Sequence, residues 1–121
     1  MAETIDVHAF ARHIPVSSQK VRRVVDLIRG RQVDEALDIL RFTTSTASAP
    51  VSKVLTSAIA NAEENFGMNR EVLVLHKAYA DEGPTRRWRR FGARGRFKPI
   101  LRRTSHIVIV LREREAAAAS E

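Results

Sequence analysis

Three segments of the chain have the spacing of apolar residues that is typical of strands. Residues 5–11 place Ile5, Val7, Ala9 and Ala11 on one side, and Pro15 ends the segment. Residues 71–80 and 105–111 contain runs of branched apolar residues, and both segments are too short for typical helices. We therefore predict three strands, of which the second and third lie in the C-terminal half of the chain.

Three further segments have the spacing of amphipathic helices, with apolar residues at intervals of three and four. Ser17 and Ser18 are predicted to cap the first helix, while Gly30 and Gly67 are predicted to end the first and third. Pro50 is expected in the first turn of the third helix. The predicted buried stripes are Val21, Val24, Val25 and Ile28, then Val33, Ala36, Leu37 and Leu40, and finally Val51, Val54, Leu55, Ala58, Ile59, Ala62 and Phe66.

This order of elements predicts an α+β fold in which three helices pack on a small three-stranded antiparallel sheet. The length of 121 residues favours a single domain. We expect a globular body of about residues 5–83 plus 104–114, an extended basic hairpin of about residues 84–103, and a C-terminal tail of residues 115–121. The hairpin, residues 84–103, is called the basic arm below.

Positive charge is concentrated around this arm. The chain has a net charge of +7, but residues 83–112 contain ten Lys or Arg and no Asp or Glu, whereas the other 91 residues carry a net charge of −3. Such a segment favours a polyanionic partner. The chain has no cysteine, which excludes disulfides and thiolate chemistry. It also has no long apolar run and no leader-like start, so we expect a cytoplasmic protein without a membrane partner.

The arm is predicted to be a two-stranded ribbon. A structureless loop of more than 20 residues between the last two strands would be uncommon. Gly92-Ala93-Arg94-Gly95 supplies the residues for a turn near its middle. Ten residues on each side would carry the tip roughly 30–35 Å from the body. An isolated hairpin with so many like charges is marginal in water, so we expect it to be mobile until a partner fixes it.

The side chains of the arm suit RNA. Nine of the ten basic residues in residues 83–112 are arginine, which binds phosphate through two donors and stacks on bases. Trp88, Phe91 and Phe97 lie between them and could stack on unpaired bases, or alternatively pack on the arginine stems of the same ribbon. The candidate RNA-binding residues here are Arg86, Arg87, Trp88, Arg89, Arg90, Arg94, Arg96, Lys98, Arg102, Arg103, Thr104, Ser105 and His106.

A second, weaker RNA surface is predicted on the first helix, at Lys20, Arg22, Arg23 and Arg29, with a solvated helix face as the alternative. No catalytic residue, metal site or cofactor is predicted. The four histidines lack metal-ligand spacing. The Asp81-Glu82 pair fits a salt bridge to the arm better than catalysis, and Ser17 and Ser18 fit a helix cap better than a nucleophile.

Five stretches of the chain match one known family in order and spacing. They are Ser17-Ser18-Gln19-Lys20-Val21-Arg22 with Val25-Asp26-Leu27-Ile28-Arg29-Gly30, Ser57-Ala58-Ile59-Ala60-Asn61-Ala62-Glu63, Asp81-Glu82-Gly83-Pro84, Gly95-Arg96, and Arg103-Thr104-Ser105-His106-Ile107-Val108-Ile109-Val110. Over about residues 5–115, the chain resembles the bacterial form of the ribosomal protein L-twenty-two family.

The resemblance implies a structural protein of the large ribosomal subunit that binds 23S ribosomal RNA and contributes to early subunit assembly. It implies a globular body near the polypeptide exit and a hairpin that lines the nascent-peptide tunnel beside the ribosomal protein L-four family. The implied partners are 23S ribosomal RNA, neighbouring large-subunit proteins, the nascent polypeptide and macrolide antibiotics near the hairpin tip. Carried onto this chain, the tip consists of Arg89, Arg90, Phe91, Gly92, Ala93 and Arg94.

The tip departs from the family's pattern. Phe91-Gly92-Ala93 stands where the family usually has Pro-Arg-Ala, and Trp88 stands where a basic residue is common. We therefore expect a more flexible tip whose tunnel contacts cannot be copied from other members. The main alternative is a free-standing RNA- or DNA-binding regulator that uses the same arm, and a hydrolase or transferase is a distant third.

Overall fold

Three helices and five strands follow one another within residues 5–113, the part of the chain that the computed structural model describes. The elements are β1 (Asp6–Ile14), α1 (Ser18–Ile28), α2 (Val33–Phe42), α3 (Ser48–Phe66), β2 (Leu73–Glu82), β3 (Arg86–Phe91), β4 (Phe97–Arg102) and β5 (Ser105–Glu113). Short 3₁₀ turns at Arg70–Val72 and Ala93–Gly95 precede β2 and β4. The predicted tail, residues 115–121, lies outside the described residues.

β5 is the central strand of a three-stranded antiparallel sheet with the order β1-β5-β2. In one row of the sheet, Ile109 of β5 faces Ala9 of β1 on one side and Ala78 of β2 on the other. β3 and β4 form a separate two-stranded antiparallel sheet. The α+β class, the three helices and the pairing of β2 with β5 are therefore confirmed.

The core lies between the three helices and one face of the larger sheet, which is called the inner face. The predicted stripe of α1 is at most 2% exposed, and Ile107, Ile109 and Leu111 of β5 are fully buried against the helices. Phe66 is predicted to be buried but is 49% exposed, and Ile5, at the start of the first predicted strand, is also 49% exposed. Ile5 precedes the first cross-strand pair and Phe66 ends α3, so both lie beyond the packed layers.

The helix ends match the sequence only in part. Gly30 and Gly67 adopt the positive φ angles, +80° and +61°, that end a helix. Ser17 occupies the position before α1, but its side chain makes no capping hydrogen bond, so the predicted cap is wrong. β2 begins two residues later than predicted because Arg70–Val72 turns as a 3₁₀ helix behind Asn69, whose side chain accepts from the amide of Glu71.

The outer edge of β2 is covered by α1 and the segment after it. Gly30 donates to the carbonyl of Leu75 (3.0 Å), and Leu75 donates to the carbonyl of Arg31 (2.9 Å). Further along the edge, Arg29 donates to the carbonyl of Ala78 through Nε and Nη2 (3.0 and 2.7 Å). These bonds satisfy groups that an edge strand would otherwise leave open for association.

A cross-strand ion pair joins β1 and β5 at one end of the sheet. Asp6 of β1 faces Arg112 of β5, which donates from Nε to Oδ1 (2.7 Å) and from Nη2 to Oδ2 (3.1 Å). This hydrogen bonding from Arg112 lowers the pKa of Asp6 below its ordinary value, and the charge of Arg112 adds to the effect, whereas burial opposes it. Both side chains are about one-third exposed, which limits the energy of the pair.

We expect Asp6→Asn to lower the free energy of unfolding by about 0.5–1 kcal/mol at pH 7. Because the pKa of Asp6 is lower in the folded chain than in the unfolded chain, its contribution is complete above about pH 4 and is lost as the pH falls through the folded-state pKa. Urea unfolding of both proteins from pH 7 to pH 2 measures the difference.

The stabilities of the two proteins should converge toward the acid end of that series. The exposed carboxylate of Asp38, replaced by Asn, serves as the matched control for the loss of a surface charge. A deficit for Asp6→Asn that stays constant down to pH 2 would contradict the role of the ion pair.

Candidate nucleic-acid interface

β3 and β4 bring the basic residues of the arm together in pairs. Their register runs from Arg86 facing Arg102 to Phe91 facing Phe97. Residues directly opposite each other in an antiparallel pair share a face. Trp88 therefore shares its face with Arg86 and Arg102, so each face of the ribbon mixes cations with apolar side chains.

The turn between β3 and β4 spans residues 92–96, which include the predicted Gly92-Ala93-Arg94-Gly95. Arg94 and Gly95 both adopt left-handed conformations, with φ of +60° and +71°. A Cβ atom on Gly92 would come within 2.8 Å of the Lys98 side chain and 3.0 Å of the carbonyl oxygen of Arg96. The glycines of the Phe91-Gly92-Ala93-Arg94-Gly95 sequence are thus required by the turn itself.

The ladder is interrupted where the arm joins the body. Glu82 faces Ser105 and Arg86 faces Arg102, so three residues, 83–85, lie opposite two, 103–104. The expected unbroken ribbon is therefore divided into two sheets. Gly83 donates to the carbonyl of Thr104 (2.9 Å), and a Cβ atom on Gly83 would lie 2.5 Å from Oγ1 of Thr104.

Two side-chain contacts fix this junction. Oγ1 of Thr104 donates to the carbonyl of Pro84 (2.7 Å), and Arg103 lies 3.5 Å from the carboxylate of Glu82. The second contact confirms the predicted salt bridge between the acidic pair and the arm. Both of its side chains are at least half exposed, so it orients the arm more than it stabilises the fold.

A wide groove of about 1110 Å³ opens between the N-terminus of α1 and the β3–β4 ribbon. It is called the basic groove. Its charged lining consists of five Lys or Arg residues and one Glu, a net charge of +4. The lining residues are His13, Pro15, Val16, Ser17, Ser18, Gln19, Lys20, Arg22, Thr46, Glu82, Pro84, Arg86, Trp88, Leu101, Arg102, Arg103 and Thr104.

The groove joins the two surfaces that the sequence predicted separately. Lys20 and Arg22 come from α1, whereas Arg86, Arg102 and Arg103 come from the arm and its junction. The first turn of α1 also faces the groove, and its amide groups donate no hydrogen bond to the side chain of Ser17. The positive end of the helix dipole therefore adds to the attraction for anions.

Trp88 is the aromatic residue of the groove. Its side chain is 55% exposed, and the guanidinium carbon of Arg102 lies 6.0 Å from its ring centroid. This contact gives partial support to the alternative that the ring packs on an arginine of the same ribbon. More than half of the ring surface stays available for a base to stack on.

The remaining predicted residues are distributed around the groove. Exposed residues outside its lining are Arg23, Arg87, Arg89, Arg94, Arg96 and Lys98. Arg29 is held by the carbonyl of Ala78 and by Asp26. Ser105 is fully buried, which leaves its side chain no surface for RNA. The side chains of Arg90, Phe91 and Phe97 lie outside the described residues.

His106 is not part of the groove lining, but it contacts His13, which is. Its Nδ1 accepts a hydrogen bond from the amide of His13 (3.2 Å), and the two rings meet edge to face at 5.2 Å. This contact fixes His13 in a left-handed conformation, with φ of +59°, at the rim of the groove. Sequence reasoning missed His13, Gln19 and Thr46, since nothing in their spacing connects them with residues 84–104.

Within residues 5–113, no helix is both long and apolar enough to cross a membrane, and no group of three or more potential ligands could hold a metal ion.

Comparison with known proteins gives one family. Residues 9–112 match the family model described as ribosomal protein L22p/L17e. The chain is 55% identical over 111 residues to the large ribosomal subunit protein uL22 of Thermoanaerobacter sp. (strain X514), covering 92% of this chain and all of that protein.

Two other relatives carry the same name. The uL22 protein of Desulfitobacterium hafniense (strain DSM 10664 / DCB-2) is 50% identical over 107 residues, which cover 88% of this chain and 94% of the relative. That of Pediococcus pentosaceus is 48% identical over 116 residues, which cover 95% and 98%. The chain therefore belongs to the ribosomal protein L22p/L17e family, and it is a structural constituent of the large ribosomal subunit rather than an enzyme.

Proposed function

We propose that this protein binds 23S ribosomal RNA through the basic groove and the arm. The observation that carries the proposal is the groove itself, in which cations from α1 and from the β3–β4 ribbon line one cavity. No specific observation favours a free-standing regulator, and family membership supports a location on the ribosome in the cytoplasm.

The chemistry of the groove matches a folded RNA backbone. Phosphates attract the five cations and the amide end of α1, while the exposed ring of Trp88 offers a stacking surface to an unpaired base. The one carboxylate in the lining, Glu82, is already paired with Arg103. Repulsion of the phosphates is thereby reduced at the narrow junction of arm and body.

We also propose that the body and the arm occupy different parts of the ribosome. Residues 5–83 and 104–114 would form the body near the polypeptide exit, and residues 84–103 would form a long protruding hairpin that lines the tunnel. The tip, Arg89 to Arg94, would face the nascent polypeptide and any bound macrolide. Neighbouring large-subunit proteins would contact the body, and early binding to RNA would assist subunit assembly.

Electrostatic repulsion supports the proposal that RNA orders the arm. Residues 86–103 carry nine Lys or Arg and no acidic residue. The ribbon has two strands, which are marginally stable alone in water. Phosphates along both edges would neutralise the repulsion and hold the backbone at the same time.

Lys20→Gln tests the groove with a minimal change. We expect it to weaken binding to a 23S ribosomal RNA fragment at all salt concentrations, because one phosphate contact is lost. The slope of log K against log salt should decrease in magnitude by about 0.7–0.9. Filter binding between 50 and 300 mM KCl measures both quantities.

Lys53→Gln is the matched control for this experiment. Lys53 is exposed on α3 and is not among the groove-lining residues. Its removal changes the net charge equally, so a general charge effect would weaken both variants alike. If the slope of log K against log salt were equal for the two variants, RNA binding in the groove would be contradicted.

Deletion of residues 86–103 tests the division into body and arm. We expect the shortened chain, closed by a short Gly-Ser linker, to keep a cooperative thermal transition, because none of the described core residues lies within residues 86–103. Its affinity for ribosomal RNA should fall by several orders of magnitude at moderate salt, since nine cations are removed.

Circular dichroism measures the thermal transition of the deleted chain, and a binding assay measures its affinity for RNA. Loss of the cooperative transition would show that the arm is part of the folding unit. Unchanged RNA affinity in a folded chain would show that the arm is not an RNA contact.

A further inference from the structure

The larger sheet has a second face, turned away from the helices, which is called the outer face. A row of three residues crosses it: Phe10 of β1, Val108 of β5 and Tyr79 of β2, with Val108 directly opposite both aromatic residues. Phe10 is 62% exposed and Tyr79 is 42% exposed. Two rings on one face are therefore open to solvent, separated by two strand spacings of about 10 Å.

Cationic side chains flank this row. The guanidinium carbon of Arg12 lies 5.3 Å from the centroid of the Phe10 ring, close enough for a cation–π interaction. In the next row, Lys77 and His8 face Val110 from the two sides. The rings thus lie between groups that attract phosphate.

Two acidic residues, Asp6 and Asp81, lie on the outer face and limit where an anion can bind. Asp6 is held by Arg112 at the far end of the sheet, three rows from Arg12. Asp81 is exposed and faces His106 in the row next to Tyr79, so β2 carries one negative charge beside the aromatic row, two strands away from Arg12 of β1. The row on the opposite side of the aromatic residues contains His8 and Lys77 and no carboxylate, so phosphate is favoured at Lys77 and at Arg12 rather than beside Asp81.

We propose that the outer face binds unpaired nucleotides of RNA, with bases stacked on Phe10 and Tyr79 and phosphates held by Arg12 and Lys77. Single exposed aromatic residues are ordinary on a protein surface. Two rings in one row, with cations on both sides, form the combination that single-stranded RNA requires: a flat surface for each base and a positive charge for the backbone. A protein-docking surface is expected to be a larger contiguous apolar patch than two separated rings.

The outer face is separate from the basic groove. Neither Phe10 nor Tyr79 lines the groove. The cations of the groove come from α1, β3, β4 and the junction, whereas Arg12 and Lys77 lie on β1 and β2. The contact between His13 at the groove rim and His106 on the outer face connects the two surfaces. A strand of RNA that leaves the groove could therefore continue across the sheet, but the proposal does not depend on binding in the groove.

Photocrosslinking of the full chain tests this site directly. The probe is a uridine octamer that contains 5-iodouridine, and crosslinked peptides are located by mass spectrometry. We expect crosslinks at Phe10 and Tyr79. In the double variant R12Q/K77Q, the yield at these rings should fall by about fivefold or more, because the phosphates lose their partners. The yield at Trp88, in the groove, should stay within about twofold.

Two further variants separate the outcomes. K53Q is the charge control and should leave the yields at Phe10 and Tyr79 unchanged, whereas F10Y/Y79F keeps both ring faces and should still crosslink. Absence of crosslinks at both rings, under conditions where Trp88 is crosslinked, would overturn the proposal and is the result expected of a protein-docking face. Ring crosslinks that do not respond to R12Q/K77Q would also overturn it.

Discussion

The position of β5 between β1 and β2 is the constraint on which the rest of the structure depends. The strand that follows the arm is inserted into the middle of the sheet, so Ser105 at its start lies opposite Glu82 at the end of β2. The two ends of the arm are thereby held at the spacing of neighbouring strands, about 5 Å. Burial of Ile107 and Ile109 against the helices fixes this arrangement. A charged segment that repels itself is in this way attached to the most buried strand of the body.

The position of α1 follows from the same sheet. Arg29 and Arg22 donate to the edge carbonyls of Ala78 and Ala80, so the cationic side chains of the helix also attach it to β2. This attachment directs the first turn of α1, with Lys20, toward the junction where the arm begins. The basic groove is consequently a product of sheet order and helix attachment, and not of one contiguous sequence.

The sequence predicted what depends on local periodicity and little of what depends on distant contacts. The stripe of Val21, Val24, Val25 and Ile28 follows from helical spacing, and the turn of the arm follows from its glycines. By contrast, the missing cap at Ser17 and the burial of Ser105 depend on how neighbouring elements pack. The hydrogen bonds of Arg29 to β2 join residues 49 positions apart, so no local pattern could distinguish that arginine from the solvated Arg23. The groove was missed for the same reason.

The central claim is that RNA occupies the groove and the arm together, and differential acetylation of lysines tests it most directly. Lys20 lies in the groove, Lys98 lies on the arm, and the exposed Lys53 lies on α3 outside the groove. The chain is treated with acetic anhydride alone and in complex with 23S ribosomal RNA, and the modification of each lysine is measured by mass spectrometry. Lys20 and Lys98 should both become protected in the complex, while Lys53 should not. Reactivity of Lys20 and Lys98 that stays equal to that of Lys53 in the complex would contradict the central claim.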